Sequence, residues 1–185
     1  SPGQMGGFAR PTGASGGIGL ELARIFAREG WDLWLVARDV EKLESLRKDL
    51  ESNHYISARI SRKDLSQPSA AKELFDETRI EGVFIEALVN NAGAGEFGPF
   101  ADVALSRHER IVNLNILSLT QLTHLFLEPM LLKKRGRILN VASTAAFQPG
   151  PLLAVYYASK AYVLHFSEAV AYELKESGVT LTTLC

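Results

Sequence analysis

Short runs rich in β-forming residues alternate with longer helical stretches along the whole chain. The β-rich runs predict strands over 7–11, 32–37, 55–60, 86–90, 137–142 and 179–184. Helices are predicted between them, over 17–29, 40–52, 68–80, 106–134 and 152–177, the last two unusually long. Leu33-Trp34-Leu35-Val36 has no polar interruption, as in a strand covered on both faces. Such alternation gives parallel strands joined by right-handed crossovers. The expected fold is therefore an α/β, Rossmann-like doubly wound parallel sheet in three α/β/α layers. The strand ends and the loops after them should share one edge of the sheet, where ligands bind. The segment Gly7-Phe8-Ala9-Arg10-Pro11 is out of character, because in a central strand its arginine must bury a charge and its proline removes a ladder donor.

Composition changes this picture little. The chain has 185 residues, enough for a single domain spanning 1–185. A net charge of -1 gives no footprint for nucleic acid, and the one basic cluster, Lys133-Lys134-Arg135, falls at an expected helix C-terminus. The only cysteine, Cys185, fits a reducing compartment. Residues 1–7 lack the charged and apolar regions of a secretory signal, and no apolar run reaches membrane-spanning length, so a cytoplasmic protein without a membrane partner is expected.

The chemistry begins at Thr12-Gly13-Ala14-Ser15-Gly16-Gly17-Ile18-Gly19, a glycine-rich turn between the first strand and an amphipathic helix. Glycines let the backbone turn tightly and approach a pyrophosphate, which a helix N-terminus favours. By itself such a turn is also compatible with an ordinary tight connection. Tyr156 and Lys160 are four apart in a helix-compatible stretch and so share a face. Ser143 lies just past the fifth strand, and Asn115 sits in an apolar surround inside the long helix, where a buried amide needs partners. Asn113 is the competing choice for that position. None of the four histidines shows metal-ligand spacing, and no metal is expected.

The spacing of Gly13, Gly17 and Gly19 resembles the T-G-x-x-x-G-x-G turn of short-chain dehydrogenases/reductases, and the likeness extends over nearly the whole chain. It implies a cofactor site formed by Gly13, Ser15, Gly17, Ile18 and Gly19, by Asp64-Leu65 against adenine, and by Asn91, Ala92 and Gly93 of an N-N-A-G loop. Ala37 stands where NAD-specific members carry an acid, and Arg38 follows it, so NADP(H) is the implied cofactor. Asp39 and Asp64 also read simply as caps of the elements after them.

The same resemblance implies a catalytic tetrad of Asn115, Ser143, Tyr156 and Lys160. A free phenol titrates near pH 10, so Tyr156 as acid/base needs its anion stabilised, a role for Lys160, which also binds the nicotinamide ribose. Ser143 would hydrogen-bond the substrate carbonyl oxygen, and Asn115 would hold a proton-relaying water. The family packs its two long helices against symmetry mates, so a homodimer or homotetramer is implied. Family members continue with a substrate-covering segment and a seventh strand. The fold is therefore expected to be truncated after the sixth strand, with its last strand an exposed edge. Two readings follow: an oxidoreductase acting on a small-molecule ketone, aldehyde or secondary alcohol, and a catalytically incompetent NADP-binding fragment.

Overall fold

The computed structural model describes residues 7–185; the residues before Gly7, read above as lacking a signal sequence, lie outside them. Six strands form one parallel sheet in the order β3-β2-β1-β4-β5-β6: β1 (Phe8–Pro11), β2 (Asp32–Ala37), β3 (Ala58–Arg62), β4 (Ile85–Asn90), β5 (Gly136–Val141) and β6 (Val179–Leu184). Helices α1 (Gly17–Arg28) and α2 (Val40–Asn53) cover one face. On the other face lie α3 (Ala70–Ile80), α4 (Leu105–Val112), α5 (Leu119–Lys133) and α6 (Ala154–Glu173). The three-layer arrangement expected from the alternation is therefore present. Strand β2 shows why its run is wholly apolar: Leu33 and Leu35 join the core under α1 and α2, while Trp34 and Val36 join the core under α3 and α5.

Three boundaries differ from expectation. The third strand starts at Ala58 rather than at residue 55, because α2 runs on to Asn53 and leaves Tyr55 fully exposed. The carboxylates of Asp32 and Glu51 accept the backbone N–H groups of Ser57 and Ala58 and so set that start. The predicted helix over 106–134 is interrupted by a π-helical segment, Asn113–Ser118, between α4 and α5. The last helix is trimmed at both ends, beginning only after Leu152, which has a left-handed φ of 66°. The basic cluster does end a helix, with Lys134 in the left-handed cap position of α5.

Strand β1 is central despite its sequence, pairing with β2 on one side and β4 on the other. Arg10 is 0% exposed, and its guanidinium stacks 4.5 Å from the centroid of Trp34 and 5.5 Å from that of Phe126. One terminal nitrogen donates to the Leu74 carbonyl at 2.8 Å, and the other lies 3.9 Å from Glu77. Its Nε and Nη2 have no hydrogen-bond partner, and burial pulls its pKa down to about 9 against the opposing pull of Glu77. Replacing a poorly compensated buried cation by an apolar side chain of similar reach should stabilise the fold. For Arg10→Met the expected gain is roughly 1–4 kcal/mol in urea or thermal unfolding. A loss of stability would show that the aromatic stacking outweighs the cost of burial.

Candidate active site

The turn after β1 is held against the loop after β4 by the side chains of Thr12 and Asn91. The Thr12 hydroxyl donates to the Val89 carbonyl at 3.1 Å and accepts the backbone N–H groups of Asn91 at 3.0 Å and Ala92 at 3.1 Å. The Asn91 amide returns a bond to the Thr12 carbonyl at 3.1 Å. The two loops come so close that a Cβ on Gly19 would sit 2.5 Å, and one on Gly13 2.8 Å, from the Asn91 amide nitrogen. Gly13 also has φ +65°. Helix α1 starts at this point with no side-chain cap and no acidic residue in its first turn, so its N–H groups remain available to an anion.

Beside the turn, at the ends of β2 and β3, lies a cleft of about 120 Å³ walled by Gly13, Ser15, Ala37, Arg38, Leu65 and Ala92. Asp39 accepts the Lys42 backbone N–H at 3.1 Å and caps α2; that bond holds its carboxyl below the usual range. Asp64 behaves similarly, accepting the backbone N–H and hydroxyl of Ser66 at 3.0 and 2.7 Å. Burial pushes its carboxyl up, but those bonds, with Arg110 and Arg38 nearby, outweigh the push and leave it below the usual range. Both aspartates thus take the capping role. Leu65, not Asp64, faces the cleft.

A second cleft, of about 470 Å³, continues along the same edge and is walled by Ile18, Gly95, Phe97, Leu153, Tyr156 and Lys160. The Gly98 N–H donates to the Leu152 carbonyl at 2.8 Å and ties the loop after β4 to the start of α6. Lys160 lies one turn below Tyr156, 6% exposed, with Nζ 5.9 Å from the Tyr156 ring centroid and donating to the Val141 carbonyl at 2.9 Å. Burial lowers its pKa to about 8. The backbone opposite is flush with these groups. A Cβ on Gly93 would lie 3.4 Å from Lys160 Nζ and 3.5 Å from Asn115 Oδ1, and one on Gly95 would lie 3.1 Å from the Tyr156 ring.

Asn115 is 2% exposed in the π-helical segment, while Asn113 is only partly buried. Its Oδ1 accepts the Ala94 N–H at 2.9 Å, and its Nδ2 donates to the Ala94 carbonyl and to the Ser159 hydroxyl, each at 2.9 Å. Both amide hydrogens are therefore used within the protein. The amide thereby clamps the loop at Ala94. Ser159 in turn donates to the Tyr156 carbonyl at 2.7 Å, joining that clamp to α6. Ser143, after β5, accepts the Ala145 N–H at 3.1 Å at the start of a short 3-10 helix (Thr144–Phe147), next to Ala142 on the cleft wall.

Of the expected site residues, Gly13, Ser15, Arg38, Leu65, Ala92 and Gly93 line the first cleft and Ile18, Asn91, Gly93, Tyr156 and Lys160 the second, while Gly17, Gly19, Asp64, Asn115 and Ser143 line neither. A groove of about 380 Å³ between α3 and α5 lies at the opposite edge, around the start of β4. The sequence model described as short chain dehydrogenase matches residues 9–185. The chain belongs to the short-chain dehydrogenase family.

A very-long-chain 3-oxoacyl-CoA reductase of Anas platyrhynchos is 34% identical over 97% of this chain and 59% of its own length. The 17-beta-hydroxysteroid dehydrogenase type 3 of Mus musculus is 33% identical, with coverage of 97% and 59%. Among solved structures, the bulky-bulky ketone specific alcohol dehydrogenase of Comamonas testosteroni superposes with a TM-score of 0.90 at 32% identity, covering 96% of this chain and 71% of that one. A metagenomic short-chain oxidoreductase in complex with NADP gives 0.89 at 31% identity, covering 96% and 80%. The chain spans little more than half the length of the curated relatives it matches.

The sequence marks Thr12 only as part of the glycine-rich turn and does not single out Gly95 or Ser159, because their contacts include partners distant in sequence. The nearest available sign was the small residue at 95 in a loop already singled out. In this short-chain dehydrogenase the buried Lys160 ammonium opposes folding. With a folded pKa of about 8 below the ordinary 10.5, the penalty is full below pH 8 and fades as pH rises towards 10.5. Without ligand, Lys160→Met should therefore unfold at higher denaturant than the unmutated chain at pH 7, by up to about 3 kcal/mol, with the gap narrowing by pH 10. A gap that stays constant across this range would contradict the assignment.

Proposed function

We propose that this chain carries the NADP(H)-binding and catalytic part of a carbonyl reductase or secondary-alcohol dehydrogenase, with Tyr156 as acid/base. The observation that carries the reading is the buried Lys160 ammonium beneath Tyr156, in a cleft that adjoins the glycine turn. The cofactor fits the residues present. The side-chain-free approach at Gly13 and Gly19 and the uncapped α1 N-terminus suit a pyrophosphate, and Arg38 beside Ala37 suits a 2′-phosphate. When bound, NADP(H) supplies or takes up the hydride at the carbonyl carbon.

The remaining work falls to the chain's own groups. The Tyr156 hydroxyl transfers a proton to the carbonyl oxygen in reduction and takes it back in oxidation. The Lys160 ammonium, with Nζ 5.9 Å from the Tyr156 ring centroid, supplies positive charge on this side of the cleft. Ser143 accepts a bond from Ala145, and no acceptor among the described residues takes its hydroxyl hydrogen, which leaves that hydrogen for the substrate oxygen. Asn115 holds Ala94, and with it Gly93 and Gly95, against Lys160 and Tyr156.

Phe97, Leu153 and Ile18 make an apolar wall, with Phe97 71% exposed at the mouth. Together with relatives named for long-chain 3-oxoacyl, hydroxysteroid and bulky ketone substrates, this supports a bulky apolar ketone as substrate. Val112 and Leu117 stay exposed on the long helix and support packing against a second copy.

The test is NADPH oxidation with a panel running from small polar ketones to steroid ketones and long-chain 3-oxoacyl thioesters. The expected outcome is higher kcat/KM for the bulky apolar members. Tyr156→Phe should lower kcat by roughly 10²- to 10⁴-fold and leave NADPH affinity unchanged. NADPH binding without turnover of any member would favour the fragment reading, and loss of binding in Tyr156→Phe would make the tyrosine structural.

A further inference from the structure

Lys63, the first residue after β3, has no part in the tetrad or the glycine turn, yet it lies on the wall of the cleft that holds Ser15 and Arg38. Its backbone N–H donates to the Ala37 carbonyl at 3.0 Å, which seats it beside the position where the acid of NAD-specific sites is replaced. Its side chain is not committed to the core. Nζ bonds Glu73 at 2.7 Å and Glu77 at 3.1 Å, both on α3 and both partly exposed.

Each of those carboxylates has another partner. Glu73 accepts the Ser69 hydroxyl at 2.7 Å, and Glu77 accepts the Ser61 hydroxyl at 2.5 Å and faces Arg10. Neither would be stranded if the lysine left. Arg38 is exposed and makes no ion pair among the described residues, so one cation is ready for an incoming anion. A phosphate monoester brings roughly −1.5 to −2 charge at neutral pH, more than one arginine neutralises. Asp64 adds a further negative charge close to Arg38.

We infer that Lys63 is a second cation for the cofactor 2′-phosphate, leaving Glu73 and Glu77 to pair with the phosphate beside Arg38 when NADP(H) binds. The inference rests on the NADP(H) reading above. It makes Glu73 a brake on affinity, because this carboxylate competes with the phosphate for one ammonium. It also sets Lys63 apart from Ser15 and Arg38, which have no competitor to leave.

The experiment is equilibrium binding of NADPH, NADH and 2′,5′-ADP to the whole chain, followed by fluorescence and calorimetry. Lys63→Ala should weaken NADPH and 2′,5′-ADP roughly tenfold and leave NADH unchanged, and Lys63→Arg should retain most of the affinity. Glu73→Gln, at an exposed position, should tighten NADPH roughly two- to fivefold. Equal losses for NADPH and NADH in Lys63→Ala, or no loss in either, would overturn the inference. So would a Glu73→Gln chain that binds NADPH no more tightly. If the unmutated chain itself shows no preference for NADPH over NADH, the cofactor reading fails first, and the two failures are told apart.

Discussion

The site depends on the hydroxyl of one threonine. Buried N–H groups in a loop must find partners, and at the ends of the neighbouring strands β1 and β4 the Thr12 oxygen is the partner for two of them while giving its own hydrogen to Val89. This fixes the glycine turn against the Asn91–Ala92 loop at a spacing that only side-chain-free residues tolerate. The same loop then runs past Asn115, Lys160 and Tyr156, touching them through Gly93, Ala94 and Gly95. The loop after β4 therefore contributes to the walls of both clefts.

Two buried cations show how differently the fold accommodates charge. Lys160 is desolvated on a cleft wall, with one carbonyl acceptor and a phenol above it, and burial lowers its pKa to about 8. Arg10 is desolvated on the sheet face under α3 and α5, with two aromatic rings and one carbonyl, and lines neither cleft. Its burial explains how so unpromising a segment still forms a central strand: the backbone ladder to β2 and β4 remains, and the guanidinium stacks flat instead of seeking water.

Much of this was legible in the sequence because it depends on residue type at fixed spacing. The six strands, the glycine turn and the Tyr156–Lys160 pair fall in that class. The start of β3 was misplaced because the Asp32 and Glu51 carboxylates that set it act across the chain rather than along it. The π-helical segment at Asn113–Ser118 was not predicted, because the run around it is apolar on more than one face and carries no glycine or internal proline to mark a change of register. The clamp made by the Asn115 side chain is not legible in the sequence either. Its partners, Ala94 and Ser159, come from a loop and a helix far apart in sequence.

The most direct measurement of the central claim is amide hydrogen exchange on Thr12→Val, a change that keeps the side-chain shape and removes only the hydroxyl. The account expects faster exchange at Asn91 and Ala92, weaker NADPH binding, and little change in the far strands β5 and β6. Unchanged protection at those two amides, with unchanged NADPH affinity, would contradict it.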